Sequence, residues 1–240
     1  MHGNDDYHQQ LEQAFFNDGY ALCNTVLAGG FTQSGLNAAF QLFYKNVDAF
    51  IANFLSVAES KGTPCECKKG CYYCCHQTVL ASTPELIYLG TFLKRKYSPQ
   101  ALEKLNEKID GKASLTEGMP MNKLLKFKKA CPLLHSTGGF CMAYQARPLA
   151  CRIYLSQSVK SCIDDLEHPA DDSIFPLLYD LPLRAGRMMN EGFLSRLREG
   201  RMNNLQVFEN TIESGLKTVL NDFTFDHWLS GQKVFRKIGR

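Results

Sequence analysis

Several features that mark membrane, exported and nucleic-acid-binding proteins are missing from this chain of 240 residues. No uninterrupted apolar run approaches the roughly 20 residues that a membrane-spanning helix needs. Residues 1–6 contain no basic region followed by an apolar stretch, so the N-terminus lacks the pattern of a secretory signal peptide. The formal net charge of +3 is too small and too scattered to indicate a nucleic-acid or membrane surface. We therefore expect a cytoplasmic protein that binds neither nucleic acid nor membrane.

The motifs that identify common enzyme classes are absent as well. The chain contains no P-loop, no dinucleotide-binding glycine fingerprint and no Ser-His-Asp set, and its carboxylates form no clear acid–base pair. Strand patterns are nearly absent, except that Gly138, Gly139 and Phe140 favour a minimal hairpin. Motifs therefore leave open whether the protein is an enzyme.

Cysteine, by contrast, is abundant: there are ten, and all but Cys23 fall in two groups. Thiolates this close repel one another unless a cation bridges them, so such groups usually hold a metal. A reducing compartment also favours metal ligation or redox chemistry over disulfides. The first group is Cys65, Cys67, Cys71, Cys74 and Cys75, and the second is Cys131, Cys141, Cys151 and Cys162.

These cysteines outnumber the four ligands that one zinc ion or one iron–sulfur cluster takes. Neighbours such as Cys74 and Cys75 normally point their side chains apart, so they would take different roles or bridge two metals. One site with spare thiols and two sites both remain open. Cys65 and Cys162 are secondary candidates, and Cys23 fits a helix pattern as a small core residue. The ligands are expected to come from Cys67, Cys71, Cys74, Cys75, Cys131, Cys141 and Cys151.

Polar residues near the cysteines are expected to support a bound metal. Pro148 suits a first helical turn, which would place Cys151 near a helix N-terminus, where the partial positive charge favours the thiolate. A tetrathiolate site with a divalent ion carries surplus negative charge, which nearby cations would offset. His76 is either a nitrogen ligand or a structural hydrogen-bonding residue. The nearby cations are Lys68, Lys69, Arg147 and Arg152.

Apolar residues at helical spacing dominate the rest of the chain and predict an all-α fold. Two amphipathic helices come first, over 7–28 and up to about Gly62, and Ser82-Thr83-Pro84-Glu85 starts a third that runs to about Tyr97. We expect one domain over 1–240, with N-terminal helices (1–62), a cysteine-cluster segment (63–162) and C-terminal helices (163–240). The predicted architecture is a helical bundle with a cysteine-rich, metal-binding loop segment in the middle.

Predictions for the remaining segments complete this picture. Ser98-Pro99 starts a short helix over 100–109, followed by a polar loop through Gly118, and 121–130 forms a basic helix. Apolar spacing over 205–220 predicts a helix of roughly twenty residues, with 183–198 as a shorter partner. Residues 225–228 are expected to be a packing segment. The acidic pairs Asp164-Asp165 and Asp171-Asp172 are expected in a solvated loop.

Four short motifs together resemble a known family. They are Cys67-x3-Cys71-x2-Cys74-Cys75-His76, Thr83-Pro84-Glu85, Cys131-Pro132-Leu133 and Cys141-x2-Tyr144-x2-Arg147-Pro148-x2-Cys151-Arg152. In order and spacing they are similar to the YkgJ-type cysteine-cluster proteins, a zinc- or iron-chelating family, over residues 65–155. One departure is the first pair, which the family often writes CxxC and which here is CxxxC.

The resemblance implies metal or iron–sulfur binding, with Tyr144, Arg147, Arg152 and His76 beside the ligands. Members of the family are often described as Fe–S oxidoreductases, and similar clusters occur in flagellin lysine methylases. The predicted cofactor is therefore Zn²⁺ or an iron–sulfur cluster, since thiolates accept either, and Cu(I) as well. No feature identifies a protein partner.

Two other functions fit parts of the pattern. Cys67-x3-Cys71-x-Tyr73-Cys74 has the spacing of a radical-SAM motif, which would indicate a SAM-dependent enzyme. That motif belongs on a loop of a partial (β/α) barrel, and the alternating strands and helices of a barrel are not indicated here. The alternative is a thiol redox switch, in which Cys74-Cys75, or Cys141 and Cys151, form a reversible disulfide without metal.

Overall fold

The computed structural model describes residues 2–68, 70–199, 204–221 and 223–237, with side chains from residue 9 onward. These residues form ten α-helices and one two-stranded antiparallel sheet, which confirms the all-α prediction. None of the helices in this described part combines the length and hydropathy needed to cross a membrane. The helices are α1 (His2–Ala28), α2 (Gln33–Ser60), α3 (Thr83–Lys96), α4 (Pro99–Thr116), α5 (Met121–Lys126), α6 (Leu149–Ile153), α7 (Val159–Glu167), α8 (Asp180–Arg198), α9 (Ile212–Leu220) and α10 (Phe225–Leu229). The strands are β1 (Leu80–Ser82) and β2 (Glu209–Thr211).

The two long helices α1 and α8 pack along each other at very short range. Glycines on both helices make this approach possible. A Cβ added at Gly192 would lie 2.0 Å from the Phe16 carbonyl oxygen, and one at Gly19 would lie 1.9 Å from that of Met189. Any larger residue at either position would push the two backbones apart.

Aromatic side chains from several helices form the centre of the core. Phe40 of α2 contacts Phe193 of α8 at 5.1 Å and Tyr88 of α3 at 5.5 Å between ring centroids. Cys23 is fully buried in the same cluster, as expected of a small core residue. Trp228 of α10 is also fully buried, which confirms the packing role predicted for 225–228.

Helix α4 is longer than its sequence predicted, and the loop expected over 110–118 was wrong. Two charged residues are buried where α4 packs on α9: Lys112 is 5% exposed, Glu213 is 1% exposed, and their charged groups lie 3.8 Å apart. The Thr116 hydroxyl also donates to Glu213, at 3.4 Å. Polar residues thus continue the helix because their partners are inside the protein rather than in water.

The long helix predicted over 205–220 was also wrong, since only residues 212–220 are helical. Residues 209–211 instead form β2, which pairs with β1 so that Ala81 faces Asn210. The Thr211 hydroxyl then accepts the Ser214 N–H at 3.2 Å and caps the start of α9. The apolar spacing does not reveal that the helix begins only at Ile212, because the apolar residues keep their helical spacing on both sides of the Thr211 cap.

Two smaller boundaries differ from their predictions. Helix α5 ends at Lys126 instead of Ala130. Asp164 and Asp165 lie on α7 rather than in a solvated loop, and Asp165 forms an ion pair of 2.6 Å with Lys128 that is largely buried. Asp171 and Asp172 are exposed, as expected.

Candidate metal centre

Three short segments carry the cysteines of the candidate site. Cys74 and Cys75 lie in a 3₁₀ turn, Tyr73–His76, and Cys151 is the third residue of α6. Cys131 and Cys141 flank a minimal hairpin, in which Leu134 pairs with Cys141 across the turn. The Cys131 N–H donates to the Cys75 carbonyl oxygen at 2.7 Å, and this bond joins the first segment to the second.

The hairpin itself matches the prediction made from its glycines. The His135 N–H donates to the Phe140 carbonyl at 2.9 Å, which closes the turn. Gly139 has φ +60, a left-handed conformation that other residues adopt only at a cost. The turn therefore depends on glycine at this position.

Five sulfurs lie close enough to affect one another's ionisation. The pKa of Cys131 is raised to about 12, mainly by burial, and the Cys141 thiol contributes to this rise. The Cys75 thiol donates a hydrogen bond to Cys74, which raises the pKa of Cys75 and lowers the pKa of Cys74 to about 7. Buried thiols that oppose one another's ionisation are stabilised as thiolates by a bound cation. We call this set the central thiol group: Cys74, Cys75, Cys131, Cys141 and Cys151.

Cys151 does not have the lowered pKa that its place in a helix predicted. Burial raises the pKa of its thiol well above the ordinary value, and the thiols of Cys131 and Cys74 add to this effect. The expectation was wrong because α6 has only five residues, too few for a dipole that offsets burial.

Backbone N–H groups point at several of the sulfurs. Each of three cysteines receives the N–H of the residue two positions later, which lowers the pKa of its thiol although burial raises it more. Hydrogen bonds of this kind favour the thiolate and tune metal sites built from cysteine. The pairs are Cys71 with Tyr73, Cys131 with Leu133 and Cys141 with Ala143.

Arg147 is the cation that acts on most of the central thiol group: its charge lowers the pKa of Cys74, Cys141 and Cys151, whereas Lys112 and Lys96 act on one thiol each. Burial raises the pKa of Cys141, whereas the Ala143 N–H and the Arg147 charge lower it. The guanidinium lies 3.9 Å from the centre of the Tyr144 ring and donates to the Tyr144 carbonyl at 3.0 Å. Tyr144 is exposed and thus covers Arg147 from the solvent side.

Arg152 has a different position from the one expected of a cation beside the ligands. It is 1% exposed, donates to Asp48 at 2.6 Å, and lies 4.0 Å from the centre of the Tyr44 ring. It also donates to the carbonyls of Gln145 and Arg147, the latter at 3.0 Å. Its described contacts therefore hold the loop that carries Arg147, rather than the sulfurs themselves.

The other expected supporting residues lie at the edge of the site. His76 places Nδ1 3.3 Å from the Tyr72 carbonyl oxygen, a structural hydrogen bond within its own turn. Lys68 is exposed, and its charge lowers the pKa of Cys71 against the larger effect of burial, which raises it. Lys69 lies outside the described residues.

A second set of sulfurs gathers around Ser156, which is fully buried. The Ser156 N–H donates to the Cys67 sulfur at 3.2 Å, and its carbonyl accepts from Cys65 at 3.4 Å and from Cys67 at 3.8 Å. Burial raises the pKa of Cys162, whereas hydrogen bonding with the Ser156 hydroxyl lowers it. We call Cys65, Cys67 and Cys162 the Ser156 thiol group; two of the three were only secondary candidates in the sequence.

Glu85 holds the segment that carries Cys151, a role that the sequence did not indicate. At the predicted start of α3 it forms a capping box with Ser82, accepting the Ser82 N–H at 3.0 Å and the Ser82 hydroxyl at 2.9 Å. The other carboxylate oxygen accepts the Tyr44 hydroxyl at 2.9 Å and the Leu149 N–H at 2.8 Å. Leu149 is the first residue of α6, so Glu85 caps the helix that carries Cys151.

The thiols of the two groups are not bonded to one another. All ten cysteines are free, with no disulfide in the part of the chain that the structure describes. Within the same residues, no three His, Cys, Asp or Glu side chains surround a position that could hold a metal ion. Metal binding at cysteine sites is commonly coupled to local folding, so a bound ion would complete the arrangement of these sulfurs.

A comparison with known families agrees with the chemistry of this segment. Residues 66–169 match a family model named CxxCxxCC, described as "putative zinc- or iron-chelating domain". The match confirms the resemblance to a chelating cysteine family that the four motifs predicted. No curated protein and no solved structure matches the chain.

Proposed function

With residues 66–169 matching that chelating family, we propose that the chain binds Zn²⁺ or an iron–sulfur cluster through the central thiol group. The observation that supports this most is that three separate segments of chain, two of them joined by the bond from the Cys131 N–H to the Cys75 carbonyl, bring five thiols into one region. Four ligands complete a tetrahedral zinc site or hold a cluster, so the group contains one sulfur more than a single centre requires.

The residues around the sulfurs suit a thiolate centre. Cys74, with the pKa of its thiol near 7, is the ligand that ionises most readily. The remaining thiols need the cation to lose their protons, while Arg147 offsets part of the negative charge that results. Zinc would make the site structural or metal-handling, and an iron–sulfur cluster would supply electron transfer.

A radical-SAM enzyme is not supported, although the first cysteines have its spacing. The cluster motif of those enzymes lies on a partial (β/α) barrel. The described residues form two short antiparallel strands among helices and no such barrel. An oxidoreductase or a thiol switch would use the same sulfurs, and the composition of the purified protein separates these functions.

The first test is metal and acid-labile sulfide analysis, with a visible spectrum, on protein purified without oxygen. About one zinc per central group and no colour would indicate a structural or metal-handling site. Stoichiometric iron and sulfide with a brown colour would indicate a redox protein. A folded protein that binds neither metal on reconstitution would overturn the proposal and leave the thiol switch.

The second test assigns the site to its sulfurs. The double variant Cys131→Ser/Cys151→Ser is expected to lose the ion of the central group, because both serines lack the thiolate. Cys23→Ala is the matched control, since Cys23 is buried on α1 and the charged groups that act on the pKa of its thiol are Arg196 and Glu199. Equal metal content in the double variant and the control would contradict the assignment.

A further inference from the structure

We propose that the Ser156 thiol group forms a second metal site, in which Cys65, Cys67 and Cys162 bind a thiophilic divalent ion such as Zn²⁺, with Cys71 as the fourth ligand. This proposal extends the proposed function to sulfurs outside the central group. It fails separately from that function, since the two sites use different cysteines.

The contacts at Ser156 place two of the ligands side by side. The sulfurs of Cys65 and Cys67 both lie within 4 Å of one carbonyl oxygen, although they come from about 90 residues earlier in the chain. The Ser156 N–H also donates a hydrogen bond to the Cys67 sulfur at 3.2 Å. Cys65 and Cys67 therefore share the carbonyl group of Ser156, and their two sulfurs can turn together toward a common ion.

The start of α7 brings the third ligand to the same place. The Glu66 carboxylate accepts the Val159 N–H at 2.6 Å, and the Glu66 N–H donates to the Ser156 carbonyl at 3.2 Å. These two bonds fix the segment of Cys65 and Cys67 against the first turn of α7. Cys162, the fourth residue of that helix, is thereby held beside Ser156.

Cys71 is the available fourth ligand. Its N–H donates to the Lys68 carbonyl at 2.9 Å, which holds Cys71 beside the residue that follows Cys67. Helix α7, which carries Cys162, packs against the 3₁₀ turn Tyr73–His76, and this turn begins two residues after Cys71. Cys71 thus lies on the segment between Cys67 and the contact with α7.

The number of sulfurs agrees with two centres. Five thiols form the central group, and Cys71 together with the three thiols of the Ser156 thiol group makes four, which is the full ligand set of one tetrahedral zinc ion. The 3₁₀ turn that carries Cys74 packs against α7, which carries Cys162, so the two sets are neighbours. Two ions placed in these neighbouring sites would together offset the negative charge of both sets of thiolates.

The test is the stoichiometry of Zn²⁺ in reconstituted protein, measured by elemental analysis after removal of loosely bound metal. We expect about two ions in the unmodified chain and about one in Cys65→Ser/Cys162→Ser. Cys131→Ser/Cys151→Ser should also keep about one, and Cys23→Ala should keep both. Full metal content in Cys65→Ser/Cys162→Ser, or loss of every ion from that variant while circular dichroism shows it folded, would overturn the second site.

A measurement on the unmodified chain covers the case in which that variant does not fold. Alkylation of Cys65 by iodoacetamide, followed by peptide mass spectrometry, is expected to be much slower with Zn²⁺ than with a chelator, because a thiolate bound to the ion is not free to attack the reagent. An unchanged rate at Cys65, with Cys131 protected, would refute the second site and leave the proposed function standing. An unchanged rate at both cysteines would refute both.

Discussion

Two buried ionic side chains, Glu85 and Arg152, position the segment that carries Arg147 and Cys151. Glu85 is 2% exposed and accepts four hydrogen bonds, one of them from the first residue of α6. Arg152 is held by Asp48 and in turn binds the carbonyls just before α6. Groups like these are stable inside a protein only when all their hydrogen bonds are made, so the loop has little freedom.

The importance of Glu85 can be tested by its removal. Glu85→Ala is expected to lower the free energy of unfolding by about 3 kcal/mol, because the Tyr44 hydroxyl and the Leu149 N–H lose their charged acceptor. Glu103→Ala, at an exposed position of α4, is the control and should change the stability by less than about 0.5 kcal/mol. Chemical denaturation measures both, and similar values for the two variants would contradict the role of Glu85.

Arg147 acts through charge, and its effect should appear in metal affinity rather than in folding. Arg147→Gln is expected to weaken metal binding about tenfold, as is typical when a residue that supports metal ligands is lost. Competition with a coloured chelator measures the affinity. Arg187→Gln, an exposed position on α8, removes the same charge far from the sulfurs; an equal loss there would show that Arg147 has no local role.

The helices contribute a rigid frame through close packing, and the shortest approach is that of α1 and α8. Small residues at the contact let backbone meet backbone, as at Gly192 and the Phe16 carbonyl. Elsewhere the docking is polar, since α4 and α9 bury the Lys112–Glu213 pair. Both contacts connect elements far apart in the chain, so neither is visible as local periodicity.

Substituting alanine for two glycines, one at a time, separates the effect of helix packing from that of helix propensity. Gly192→Ala is expected to destabilise the protein by about 1–3 kcal/mol, because its Cβ would overlap the Phe16 carbonyl. Gly111→Ala lies in α4 with nothing within 4 Å of its Cβ, so it should stabilise by up to about 1 kcal/mol. Thermal or chemical unfolding measures both, and changes of the same sign would contradict this account of the α1–α8 contact.

For the molecule as a whole, three thiols of the central group (Cys131, Cys141 and Cys151) pack against the apolar core, but the elements that carry the sulfurs differ from the long helices that build it. The sulfurs lie on turns, on a hairpin and on the short helices α6 and α7, while α1, α2 and α8 bury aromatic and aliphatic residues that need no metal. The core should therefore persist when the metal is removed. The loops should not, because their order depends on the ion that joins them.

Metal removal tests this division. On chelation, amide hydrogen exchange is expected to become faster in residues 63–79 and 127–158, with protection of α1, α2 and α8 retained. Exchange measured by mass spectrometry on the loaded and chelated protein provides the comparison. Loss of protection throughout the chain would mean that the metal holds the entire fold, as in a zinc finger.

Local patterns in the sequence predicted much of the fold. Helices α1, α2, α3 and α8 follow from apolar spacing and from the Ser82-Thr83-Pro84-Glu85 start signal, because both act within a few residues. The second half of α4 and the break before α9 depend on partners distant in the chain, Glu213 for Lys112 and β1 for β2. The cytoplasmic location and the single domain stay predictions.

The sequence by itself determined the chemistry of the site, because thiolate ligation depends on residue type and on the short spacings within each cysteine segment. Only the tertiary structure decided how the sulfurs divide into groups. Cys65 and Cys162 were secondary candidates until the fold placed them at Ser156, across about 90 residues of chain from Cys65. Arg152 was expected beside the ligands, and its described contacts instead anchor a loop, since its partner Asp48 comes from α2. Such contacts are set by packing between distant elements, and no local pattern encodes them.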